Sequence, residues 1–155
     1  PCHRALVPRV GRLGAVRLLL VDLLLDPRIA DAHLNLAILL YEKQDPRAEH
    51  HYLTSLKLDP NDAVTHSGYG LFLEEVKNDY TRAEKSYRRA LKLDPENTNT
   101  MLNYSNLLAS AKQDFDRAAK LWRRVLKLLP PDHPHAQKAQ EELDWIARNA
   151  ERDQR

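Results

Sequence analysis

The tripeptide Leu-Asp-Pro occurs at residues 25–27, 58–60 and 93–95, and Leu129-Pro130 follows in the same context. The four prolines fall 33, 35 and 35 residues apart. A period of that length constrains the fold more than any local pattern does. Each such repeat is one supersecondary unit, and it buries its apolar face only by stacking on the next.

The same skeleton recurs inside each period. Its first half reads His33-x-x-Leu36-Ala37-x-x-Leu40, then His66-x-x-Tyr69-Gly70-x-x-Leu73, then Met101-x-x-Tyr104-Ser105-x-x-Leu108. Its second half reads Ala48-x-x-x-Tyr52-x-x-Ser55, Ala83-x-x-x-Tyr87-x-x-Ala90 and Ala118-x-x-x-Trp122-x-x-Val125. Spacings of three and four put these residues on one helical face, so each period predicts two amphipathic helices. Ala37, Gly70 and Ser105, with Ala48, Ala83 and Ala118, are small enough to let paired helices approach closely. Tyr52, Tyr87 and Trp122 are large enough to fill the space between one pair and the next. Lys43-Gln44-Asp45, Lys77-Asn78-Asp79 and Lys112-Gln113-Asp114 are polar turns of the length that helical hairpins prefer. The second helices stop before proline, which disfavours helical geometry in the residue preceding it. Asn61 and Asn97 then stand where the cap of the next helix belongs.

This skeleton resembles the tetratricopeptide repeat, whose pattern runs Trp-x2-Leu-Gly-x2-Tyr, Ala-x3-Phe and Pro over about 34 residues. The family's tryptophan is replaced here by His33, His66 and Met101. The resemblance implies an all-α fold, an α-solenoid of stacked antiparallel helix pairs in a right-handed superhelix. Eight helices are predicted, over 12–25, 29–42, 46–57, 62–76, 80–92, 97–111, 115–128 and 133–151. The organisation is an extension (1–11), a half repeat with only a second helix (12–28) and full repeats at 29–60, 61–95 and 96–130. A capping helix (131–151) and a charged tail (152–155) complete it. In the cap, Ala136, Ala139, Leu143, Ile146 and Ala147 form the apolar stripe that a terminal repeat needs on its inner face.

The helix over 12–25 is apolar almost all the way round, a pattern that belongs to buried helices. Leu19, Leu20, Val21, Leu23 and Leu24 stand where later repeats carry cations, so the expectation is docking against another polypeptide. The chain starts without methionine and is read as processed or as part of something longer. Arg4, Arg9, Arg12 and Arg17 occur without an acidic residue in the first 20 positions. An Arg-rich, acid-poor start is a feature shared with organellar transit peptides, and truncation of a longer chain explains it equally well. With one cysteine, Cys2, there is no internal disulfide framework, which favours an intracellular compartment, cytoplasm or organelle.

Little in the sequence points to catalysis. His50 and His51 are helical neighbours and project about 100° apart, poor geometry for sharing one ion. His133-Pro134-His135 sits in a turn without a carboxylate–histidine pair. There is no His-Glu-x-x-His, no cysteine pair, and only four glycines from which to build a phosphate loop. No cofactor or metal is expected, and the chain is read as non-catalytic.

Two surfaces remain. The resemblance implies that first helices line a concave groove, at Leu34, Asn35, Ile38, Tyr41, Leu71, Leu102, Asn103 and Asn106 in this sequence. There the amides could hold a peptide backbone while the aliphatics take its apolar side chains. The bland alternative is ordinary surface, or aliphatics packed against neighbouring helices. The family's carboxylate clamp for chaperone tails has Leu34, Ile38, Gly68, Asn99 and Asn103 in its slots and lacks the cations, which argues against a co-chaperone. On second helices, Arg88, Arg89 and Lys92 and the equivalent Arg123, Arg124 and Lys127 form basic stripes. These support an RNA-associated alternative, but a net charge of +2 and the absence of interleaved aromatics argue against nucleic acid. The longest greasy run, Leu18 to Leu25, is far shorter than a membrane span. The function read from the sequence is protein–protein interaction: an adaptor, or an accessory subunit binding other subunits or peptide segments.

Overall fold

The computed structural model of the chain describes Asp26 and residues 29–152. The expected helix over 12–25, with Leu19, Leu20, Val21, Leu23 and Leu24, lies outside the described residues. Within them are seven α-helices and no strand: α1 (Ala30–Tyr41), α2 (Ala48–Leu58), α3 (Ala63–Glu75), α4 (Tyr80–Leu93), α5 (Thr98–Ser110), α6 (Phe115–Leu128) and α7 (Pro134–Arg152). Every limit falls within two residues of the expected one. Helices α1 and α2 belong to a compact unit ending at Asn61, and α3 to α7 to a second beginning at Asp62. In the first unit α1 packs on α2; in the second each helix packs on the next, and α5 also meets α3 and α7. Among the described residues no helix is long and apolar enough to cross a membrane.

Packing follows the alternation of small and large side chains. Ala37, Ala48, Ala83, Ser105 and Ala118 are fully buried, as are the rings of Tyr52, Tyr87 and Trp122 to within 1%. The tightest seat is Gly70 on α3, where a Cβ would stand 2.8 Å from two carbons of the Tyr87 ring on α4. No real side chain fits there without displacing a buried ring, so the glycine is a packing requirement. Ser105 is small for the same reason, and its hydroxyl donates to the Leu102 carbonyl at 2.8 Å, so its polarity costs little.

The inner turns share a conformation that their sequences only hint at. Gln44, Asn78 and Gln113 adopt φ of 53°, 53° and 52°, the left-handed region that L-residues avoid. This reversal lets the next residue reach back to the helix it has left. The Asp45, Asp79 and Asp114 amides donate to Leu40, Leu73 and Leu108 carbonyls at 3.0, 2.8 and 2.8 Å. The carboxylates of Asp79 and Asp114 then cap α4 and α6 by accepting from the Arg82 and Arg117 amides. In the first repeat the returning hydrogen bond spans one residue fewer, from Asp45 to Leu40. Asp45 there accepts from the Arg47 amide and guanidinium, which hold its carboxyl down at about 2, and α2 starts with no side-chain cap.

One expected cap is corrected. Asn97 caps α5 through Thr100, but α3 is capped by Asp62, which accepts from the Val64 and Thr65 amides. Asn61 stands one residue too early, and its amide donates to Asp59 instead. The cap stripe also narrows: Ala136 and Ala139 are buried, Leu143 and Ile146 half-buried, and Ala147 exposed.

The first repeat holds a histidine pair, one ring buried and the other half-buried. His33 is 7% exposed, and its Nδ1 lies 3.0 Å from Nδ1 of His51, so one ring donates and the other accepts. Burial, and then the positive charge available at His33, His50 and Arg47, pull the His51 imidazole below its ordinary range.

Three outcomes are expected. Trp122→Ala empties a filled core site and should lower unfolding free energy by about 3–5 kcal/mol in denaturant titration; a loss under about 1 would contradict the packing. Gln113→Gly relieves a left-handed residue and should stabilise by roughly 1 kcal/mol, whereas Gln113→Val should destabilise. A histidine whose folded pKa lies below its unfolded one contributes stability that is present above the unfolded value. That contribution fades as pH falls through about 6.5. Thermal stability should therefore decline from pH 7.5 to 5.5, and less steeply in His51→Gln; parallel profiles would remove the pair as the cause.

Candidate functional site

The groove residues expected from the sequence differ widely in exposure. In the first unit, Leu34 is buried on α1, Ile38 and Tyr41 are half-buried, and Asn35 is exposed. In the second, Leu71 on α3 is half-buried and Leu102 on α5 is only 5% exposed. Leu34 and Leu102 therefore serve the core first. The polar members are the accessible ones. Asn99, Asn103, Asn106 and Ser110 follow one another at spacings of four and three along a single face of α5, exposed or half-buried. This face adjoins α3, where the Thr100 hydroxyl donates to Ser67 at 2.8 Å.

Elsewhere α3 and α4 are joined by a half-buried polar contact. The Tyr87 hydroxyl donates to Glu74 at 2.8 Å. Burial raises the Glu74 carboxyl above its usual range, the Tyr87 bond opposes this, and neighbouring Glu75 adds to it.

Between α5, α6 and α7 a cleft of about 570 Å³ opens, with Asn106, Ala109, Phe115, Trp122, Lys138 and Trp145 among its walls. Glu142 stands on the same wall as Lys138. Trp145 is 48% exposed although its ring lies 5.8 Å from that of Phe115. The Trp122 indole is 1% exposed, and its buried Nε1 meets no acceptor. Sequence reasoning missed this cleft. The available signal was Trp145, an aromatic residue standing off the apolar stripe of a capping helix.

The basic residues separate into engaged and outward-facing groups. Arg117 pairs with Asp114, and with Glu84 at 2.7 Å; Lys112 meets Glu84 at 2.6 Å, and Tyr104 donates to it at 2.9 Å. Burial works to raise the Glu84 carboxyl, yet hydrogen bonds from Lys112, Arg117 and Tyr104 outweigh it and bring the group down to about 2. Arg82 is held by Asp79 and Tyr69. These flanking cations tie helices together. Of the stripe itself, Arg88, Lys92, Arg123 and Lys127 are exposed, Arg89 is half-buried, and Arg124 donates to the Pro95 carbonyl at 2.7 Å. Tyr87 and Trp122 are buried, so neither offers a base a stacking face.

Among the described residues no group of three or more histidine, cysteine or acidic side chains is arranged to hold a metal ion. His50 and His51 stand edge to face with ring centres 5.1 Å apart, and His33 is His51's hydrogen-bond partner.

Comparison with known proteins agrees with this geometry. Two family models described as tetratricopeptide repeat match residues 77–143 and 46–98, together spanning more than half of the chain. No curated protein sequence matches it. Among solved structures, MamA is similar at a TM-score of 0.72 and 16% identity, over 88% of this chain and 79% of that one. A MamA fragment from Desulfovibrio magneticus RS-1 gives 0.67 and 20%, over 76% of this chain and 66% of that one. The Arabidopsis OM64 TPR domain gives 0.66 and 21%, over 76% and 95%. At such identities the structural likeness speaks to fold alone, an α-solenoid of helix pairs. The repeat period, the paired helices and the two matching family models agree: this chain belongs to the tetratricopeptide repeat family.

Proposed function

We propose that the chain is a non-catalytic protein-interaction module, an adaptor or accessory subunit that holds a partner segment along its first helices. The observation that carries this reading is the amide row on α5. Asn99, Asn103 and Asn106 face one way and are at least partly exposed, and no other described side chain bonds to their amides. Amides both donate and accept, as an extended peptide backbone does, so such a row suits main-chain recognition without requiring one particular side chain. The half-buried Leu71 supplies apolar contact beside it.

The apolar segment over 12–25, expected from its sequence to be a helix, adds a second point of attachment to this reading, through Leu19, Leu20, Val21, Leu23 and Leu24. Aliphatics on every side of a helix require a cover, and a large uncovered patch marks an interface. The basic stripes of α4 and α6 are assigned to solvated helix faces, since the neighbouring Arg82 and Arg117 already serve as internal ties.

Affinity capture with the full chain, followed by mass spectrometry, tests both attachments. Asn99→Ala/Asn103→Ala/Asn106→Ala should lose groove partners while stability stays within about 0.5 kcal/mol, the usual range for surface changes. Leu102 is unsuitable for this test because it is buried, and its substitution would report on folding. Leu20→Asp/Leu24→Asp should abolish self-association or a distinct set of partners. Unchanged recovery with the triple alanine variant would remove the groove reading.

A further inference from the structure

Behind one wall of the cleft between α5, α6 and α7 lies a buried donor without an acceptor among the described residues. Trp122 forms part of its wall, and the indole Nε1, closed to solvent, is without a partner. Buried donors are nearly always satisfied, so one left open beside a cavity calls for an explanation.

The preceding repeat supplies one. Trp122 is the equivalent of Tyr87 at the 35-residue period, and Ala109 is the equivalent of Glu74. In the earlier repeat the aromatic donor on the second helix meets a carboxylate on the first, at 2.8 Å. In the later repeat the donor remains and the carboxylate has become a methyl group. The change removes the acceptor and also leaves room, since Ala109 lines the cleft.

We propose that this cleft receives an acidic side chain from a partner peptide, which takes the place that Glu74 fills one repeat earlier. The inference rests on the peptide-binding reading and names the chemistry of one contact within it. The carboxylate accepts from the Trp122 indole and faces the exposed ammonium of Lys138. Trp145, half-exposed on the same wall, offers its ring to a neighbouring apolar side chain. Glu142 lies four residues after Lys138, on the same face of α7, and makes no ion pair with it. Its carboxylate repels any incoming carboxylate, but it accepts from a peptide N–H, and only a peptide brings that compensating donor with its acidic side chain. Because the indole N–H is closed to solvent, the acceptor reaches it by displacing a lining side chain. Asn106 and Gln113, whose amides are not otherwise engaged, can swing aside.

The chain has two tryptophans, so the indole N–H region of a nitrogen-15 correlation spectrum is simple to read. The probe is a library of short N-acetylated, C-amidated peptides with a fixed central glutamate, compared with the same library carrying glutamine. The glutamate library should move the Trp122 indole resonance and bind about tenfold more tightly than the glutamine library. Lys138→Ala should remove that preference. Ala109→Glu should move the same resonance without peptide and block the library. A Trp122 resonance indifferent to millimolar glutamate library, or equal binding of the two libraries, would overturn the proposal. If the triple asparagine variant still loses its partners in that case, the general interaction reading survives; if neither effect is seen, both fall.

Discussion

The seat of Tyr87 against Gly70 is the contact on which the second unit depends. A Cβ at that glycine would stand 2.8 Å from the ring, so the approach of α3 and α4 here depends on the missing side chain. That closeness buries the ring and aims its hydroxyl at Glu74. The carboxyl is thereby drawn into a half-buried position and pushed upward by burial. Size, burial and polarity at this one place are linked. Enlarging the glycine would displace the ring, and displacing the ring would leave the carboxylate without its donor.

The next repeat solves the same problem with different chemistry. Ser105 replaces the glycine and satisfies its own hydroxyl through the Leu102 carbonyl. Trp122 replaces the tyrosine and fills a larger volume, but its donor has no matching acceptor. Equivalent positions in a repeat array are thus not equivalent in chemistry. Each junction between layers is stabilised by nearest-neighbour packing, so one can carry a cavity while its neighbour stays closed.

Electrostatics act on the same scale. Glu84 on α4 gathers Lys112, Arg117 and Tyr104 from the following repeat, and this cluster holds its carboxyl near 2. Its equivalent in the third repeat is Ala119, buried under α7, where no charge would be tolerated without a partner. Cations that look like a docking stripe in the sequence are therefore partly internal fasteners. The remaining exposed arginines and lysines lie on helices whose Tyr87 and Trp122 are buried.

The limits of the seven described helices and the pairing of small with large side chains were legible from the period alone, because a spacing of three and four admits one helical face and the prolines mark where each pair must end. The lysine–amide–aspartate turns were legible as turns. Their left-handed residue was not, since glutamine and asparagine carry no strong sign of it; the signal was their recurrence before an aspartate. Asn61 and Asp62 both qualify as caps by type, and only the chain's path chose the second. Of the residues expected to line a groove, the asparagine spacing along α5 could be counted from the sequence, but burial of Leu34 and Leu102 depends on how tightly neighbouring helices close. The cleft could not be read at all. It arises because Ala109, Trp122 and Trp145, far apart in sequence, meet where three helices fail to fill the space between them. Sequence by itself determined the repeating unit, since periodicity is a local property of the chain. Tertiary structure alone decided which donor has an acceptor and which does not, since that depends on what lies across the gap.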